Sequence, residues 1–290
     1  MAYCCLSMSC LLQPSLGIAC LILGIGLSNS AQSQSAAWAN LSVPQGVVSN
    51  AVRGQGKLVS YEEGSNVHIF SAVTRKWHTT TKSPNATLRL FNDCIAIIEP
   101  NQIRAFSSHT GQFRDLITTG PQTIHNASNN QNDSIILASS GGDVHSFSGF
   151  TGEWSMRGVA PGFTAEVQRH VAIIRSGSTL SAVSAFDNTW HDQSCGFSPI
   201  SINADGTAAI ATSSNTAFAF SAHTRAWTTA ALSSNLTFHR GDDWGMWLAS
   251  GSAVAFSSLR GSFATTLQAA ATMAASTDLY ALLNTPTGLC

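Results

Sequence analysis

The stretch IFSAVTRKW (69–77) recurs along the chain as AFSSHTGQF (105–113), SFSGFTGEW (146–154), AVSAFDNTW (182–190), AFSAHTRAW (219–227) and AFSSLRGSF (255–263). Each copy sets an aromatic residue or valine (Phe70, Phe106, Phe147, Val183, Phe220, Phe256) seven positions before a second aromatic (Trp77, Phe113, Trp154, Trp190, Trp227, Phe263). The second aromatics follow one another at steps of 36, 41, 36, 37 and 36 residues. So regular a period means structurally equivalent units packed side by side, each completing its neighbour's core.

Working outward from the nine-residue phrase, the second copy resolves into four short strands. ATLRLFN (86–92) is followed by CIAII (94–98), a turn at Glu99-Pro100-Asn101, QIRAFS (102–107), a turn at His109-Thr110-Gly111, and QFRDLI (112–117). The second strand is continuously apolar in every unit, as in Ile95–Ile98, Ile135–Ala138, Val171–Ile174 and Met246–Ala249. That pattern fits a strand buried on both faces. The outermost strand carries the tryptophan or phenylalanine, whose large apolar area can staple one unit to the next. Four-stranded sheets repeated radially are the blades of a β-propeller.

The ends of the chain decide the expected blade count. Residues 272–290 align with the first three strands of the preceding unit and stop where a fourth is due, while SAAWANLSV (35–43) resembles an isolated fourth strand. Trp38 lies 39 residues before Trp77, and the 252 residues from Trp38 to Cys290 are seven periods of 36. The sequence therefore predicts an all-β, seven-bladed propeller over residues 36–290, with N- and C-terminal strands sharing the last blade; six blades is the alternative. Such closure leaves no free sheet edge between first and last blades.

The aromatic, six intervening residues and tryptophan resemble the repeat of kelch-type propellers, and Gly141-Gly142 matches the kelch double glycine in the third unit. Thr110-Gly111 and Thr151-Gly152 before an aromatic give a more distant similarity to quinoprotein-type repeats. These resemblances imply the fold; propellers host both binding proteins and enzymes, so no activity follows. The copper enzymes and sialidases among them need residue sets that this chain lacks. Tyr61 and Tyr280 do not assemble a copper site, and Phe150 stands where the sialidase box requires Asp.

Composition narrows the class of partner. With a net charge of -1 and 10% charged residues, no polybasic surface draws the chain to nucleic acid. The apolar run Leu16–Leu27, followed by small polar residues, reads as a signal peptide within residues 1–31 or, uncleaved, as a membrane anchor. A secreted or extracytoplasmic protein is the expectation. The membrane would be touched only through that segment. Removing it takes Cys4, Cys5, Cys10 and Cys20 and leaves Cys94, Cys195 and Cys290, too sparse for a disulfide framework and at no metal-finger spacing.

No nucleophile, metal or phosphate motif occurs, so no catalytic residue, metal site or cofactor is assigned. His109 and His223 occupy equivalent turns of different units, which the repeat explains. Twelve residues after the outer aromatics lie Asn50, Arg89, His125, Glu166 and His239, with Asn203 at the equivalent place in the fifth unit. If this position on the innermost strand faces the central channel, these six form a polar ring suited to ligand binding. The expected function is a binding or protein-interaction module for a protein or carbohydrate ligand. The alternative is an enzyme acting on carbohydrate or peptide through the channel.

Overall fold

The computed structural model describes residues 52–127, 132–196, 200–233, 236–249, 252–266, 272–276, 281–285 and 288–289. The leader segment, Trp38 with its strand, Asn50 and Cys290 lie outside the described residues.

All regular structure among the described residues is β. The first sheet is built from Arg53–Gln55, Leu58–Glu63, Asn66–Ser71 and Lys76–Thr81, hydrogen-bonded antiparallel in that order. Five further four-stranded meanders span residues 87–117, 122–158, 164–194, 201–231 and 237–266. Residues 272–276, 281–285 and 288–289 form a three-stranded sheet.

Burial follows the strand order in the four-stranded sheets. Cys94–Ile97, Ile135–Ala138 and Val171–Ile174 on the second strands are fully enclosed, whereas fourth strands such as Trp154–Gly158 alternate between half-buried and exposed. The continuous apolar run is therefore a strand sandwiched between two neighbouring sheets, and the alternating one lies at the rim. Phe106, Phe147, Phe220 and Phe256 are fully buried, and each opposes its outer aromatic across the strand pair, as in Phe147 and Trp154 with ring centres 5.2 Å apart. The outer rings are half-buried. Two of them also tie sheets together: the Trp154 indole N–H donates to Arg114 O (3.2 Å) and Trp227 to His191 O (2.9 Å) on the preceding outer strand.

The serine between the two aromatics makes the principal seam contact. Ser71, Ser107, Ser148, Ser184 and Ser221 are completely buried. Each hydroxyl donates to a carbonyl of the next sheet: Ser71 to Ser108 (2.6 Å), Ser107 to Gly149 (2.6 Å), Ser148 to Ala185, Ser184 to Ala222 (3.0 Å) and Ser221 to Ser258. The same oxygen accepts backbone N–H groups of its own turn, as Ser107 does from His109 and Thr110 (3.2 and 3.1 Å). One hydroxyl thus closes a local turn and latches two sheets, so it can be buried without leaving a polar group unsatisfied.

The turns between first and second strands show that the sheets fan about an axis. Lys57 N–H donates to Asn92 O, Asn92 N–H to Asp133 O, Ser134 N–H to Arg169 O, His170 N–H to Gly206 O and Thr207 N–H to Asp242 O, linking the first six sheets in series. At Gly56 and Gly206 the approach is too close for any side chain. Both have positive φ (52° and 49°), and a Cβ would stand 2.5 Å from Asn92 O and 1.9 Å from Asp242 O. Turns two sheets apart also touch: the Lys57 ammonium is 5.5 Å from the Phe150 ring, and Arg169 pairs with Asp242. A flat stack would hold such turns apart; radial convergence brings them together. The fold is a β-propeller, with six four-stranded blades among the described residues.

The double glycine Gly141-Gly142 forms the turn between second and third strands of blade three, where Gly141 has a φ of 63°. The corresponding turn of blade two is Pro100-Asn101 and that of blade four Gly177-Ser178. The kelch-like double glycine is thus confined to one turn, and the structure supports the propeller without specifying a kelch type.

Candidate functional site

Because the strands alternate in direction, the first–second and third–fourth turns emerge on one face of the propeller. The serine latch fixes the third–fourth turn, and a left-handed residue closes it: Arg75, Gly111, Gly152, Asn188, Arg225 and Gly261 all have φ between 55° and 72°. Two residues after each serine lies a position whose side chain this scheme does not use, although its backbone N–H donates to the serine in blades one to five. It is occupied by Val73, His109, Phe150, Phe186, His223 and Leu259. Val73 and Leu259 are 42% and 67% exposed, and His223 is also exposed.

Between these ends the rings form a continuous arc. His109 lies 4.4 Å from Phe150, Phe150 lies 5.2 Å from Phe186, and Phe186 stacks on His223 at 5.4 Å, centre to centre. His170, from the first–second turn of blade four, fills the inner side of the arc, 5.7 Å from Phe150 and 5.4 Å from Phe186. Burial holds the His170 imidazole below its ordinary pKa, so it is neutral at pH 7. His109 and His223 are separated by two phenylalanines in equivalent turns and do not form a pair. No group of three or more metal-ligating side chains is gathered among the described residues.

Inside the arc the first–second turns carry charge. Asp93 is fully buried and accepts from Lys57 Nζ (2.7 Å), Asn92 Nδ2 (2.8 Å) and the Ser134 hydroxyl, with His109 Nε2 3.1 Å away. Burial pushes its carboxyl up, but the bonds from Lys57, Ser134 and Asn92 together hold it below the usual carboxylate value. Asp133, also fully buried, is raised to about 6 by burial, which outweighs its bonds from Asn126 and the Arg169 backbone N–H. Asn126 spends its amide on Asp133 and Ile135 O (2.8 and 2.7 Å) and is itself buried. Around the axis, Arg169, His170, Phe186, Gly206, Thr207, His223, Asp242 and Asp243 line a hollow of about 300 Å³.

The positions picked out by counting from the outer aromatics fall on the strand nearest the axis. Arg89, Glu166, Asn203 and His239 lie within first strands, and His125 directly follows one. No hydrogen bond, ion pair or ring contact joins any two of these five. Arg89 donates across the seam to Asn126 O and Ala127 O (2.9 and 3.0 Å), and Asn203 accepts from Arg240 (2.9 Å). His125 bonds Ser139 of its own blade (2.9 Å) and contacts the Phe163 ring, and Glu166 is exposed. Arg89 and Asn203 thus bond to adjoining blades. The arc escaped the counting because it lies in turns; its signal was the apolar or aromatic identity of the fifth residue of the repeated phrase.

No family model matches this chain, and no curated protein sequence matches it. Among solved structures it is similar to Kluyveromyces lactis Hsv2, with 11% identity and a TM-score of 0.32 over 75% of this chain and 84% of that one. It is also similar to the C-terminal WD40 domain of Sif2 (14% identity, TM-score 0.30, 80% of this chain and 76% of that one). A third is the WD40 domain of SCAP from fission yeast (10%, 0.29, 74% and 72%). Likeness at this level carries no argument of its own, and the assignment of the fold rests on the seams and the converging turns.

Proposed function

We propose that this protein is a binding module whose partner is another protein, engaged by the propeller face that carries the arc. The observation behind this reading is the arc's position in the repeat. The hydrogen bonds of the turn come from the serine and the closing left-handed residue, so the intervening tip is free to be polar. Instead it is apolar or aromatic in four turns and histidine in two, with Val73 and Leu259 exposed. A surface of this kind, rimmed by charge, is the usual composition of an interface core. We further propose that residues 36–43 supply a fourth strand to the three-stranded sheet of residues 272–289, giving seven blades. The leader-like run at 16–27 would deliver the module out of the cytoplasm.

The test compares proteins recovered with the wild-type chain from its source against those recovered with the double variant Val73→Asp, Leu259→Asp. A partner retained by the wild type should be lost from the double variant. It should persist with Ile117→Asp, Met156→Asp, which alters two exposed apolar residues on outer strands (70% and 62%). Equal retention by all three proteins would refute the assignment of the face.

A further inference from the structure

We propose that the hollow between blades four, five and six receives the guanidinium of an arginine side chain from the bound partner. This rests on the reading of the face as a partner surface and names the chemistry of its deepest point.

Size comes first. At about 300 Å³ the hollow is at the lower limit of ligand pockets, which suits one long side chain better than a cofactor. One wall is aromatic: Phe186 is flanked by His170 and His223, each 5.4 Å away and inclined by 32° and 23°. Rings so aligned offer a face on which a planar cation stacks. The lining also holds the half-buried carboxylates of Asp242 and Asp243, bonded by the Arg169 guanidinium and the Thr207 hydroxyl respectively.

Charge selects the sign of the guest. Of the charged lining groups, Arg169 contributes +1 and the two aspartates −2, a balance of −1. One further cation completes it, whereas an anion would meet two carboxylates. Arg169 shows that this environment accommodates a guanidinium. It holds one against Asp242 from a backbone position with a φ of 49°, where blades one and five have glycine. A lysine ammonium would use the carboxylates but neither stack nor spread its donors in a plane, so arginine is preferred.

The experiment is a ¹H–¹⁵N NMR titration of the whole protein with N-acetyl-arginine methylamide, set against the citrulline and lysine analogues. Arginine should shift resonances of Phe186, Thr207 and His223, and citrulline, which has its shape without its charge, should bind at least roughly tenfold more weakly. Asp243→Asn and Phe186→Leu should each weaken the arginine complex to a similar degree, with their folded spectra retained. Equal binding of citrulline, or an undiminished complex in Asp243→Asn, would overturn the proposal; equal binding of the lysine analogue would overturn the choice of guanidinium. The partner-recovery comparison reads the arc independently, so failure here with partner loss in Val73→Asp, Leu259→Asp would remove this proposal and leave the surface standing.

Discussion

Replacing Ser107 by alanine isolates the contact that joins blades two and three. The side chain is completely buried, donates to Gly149 O at 2.6 Å and accepts from the N–H groups of His109 and Thr110. Removing Oγ deletes all three bonds while changing little volume. A net hydrogen bond is worth about 1 kcal/mol, and a buried partner left unsatisfied costs about 1–3 kcal/mol. The turn N–H groups are half-exposed and can recruit water, but the carbonyl of Gly149 sits in the seam. The expected loss is therefore about 2–4 kcal/mol, or a fall in melting temperature of roughly 5–15 °C for a domain of this size. Denaturant unfolding followed by tryptophan fluorescence measures it, with Ser201→Ala on an exposed strand position as the control expected within about 0.5 kcal/mol. Were Ser107→Ala as stable as that control, the serine would be a turn residue only and the seam would depend on side-chain packing alone.

Two other perturbations read different parts of the molecule. Asp133 has its folded pKa raised from 3.8 to about 6, so the folded state holds a proton that the unfolded state releases between those values. Stability then falls as pH rises from 4 to 6, by up to about 3 kcal/mol from this group, and stays reduced above. Denaturant midpoints should drop across that interval more for the wild type than for Asp133→Asn, and parallel curves would show that Asp133 does not titrate there. Deleting residues 36–43 should expose a sheet edge and withdraw Trp38, at a cost of about 3 kcal/mol or more; an unchanged melting temperature would refute the proposed composite blade.

Much of the fold was legible because the repeated phrase states packing directly. The two aromatics seven residues apart are a cross-strand pair, and the apolar second strand is enclosed because sheets cover both its faces. The assignment of weight within the phrase was less legible. Tryptophan attracts attention by size, yet Phe106, Phe147 and Phe220 are fully buried while Trp154 and Trp227 remain half-exposed at the rim. Serine, the residue common to all six copies, gave no hydrophobic signal although its hydroxyl joins the blades.

The candidate site was hidden for a related physical reason. Strand periodicity assigns faces within a sheet, so counting along the chain finds equivalent strand positions such as Arg89 and Asn203. It does not show that radial convergence brings turns two blades apart together. The Arg169 and Asp242 pair joins residues 73 apart through that curvature, and the hollow beside it has walls from three blades. The arc follows the same logic. Its members are about a repeat apart in sequence and nearly in contact in space, because a latch in each blade sets every turn tip at the same height. A ring of equivalent turns therefore makes one surface from short, scattered signals, and its chemistry can change blade by blade while the serine beneath keeps the blades joined.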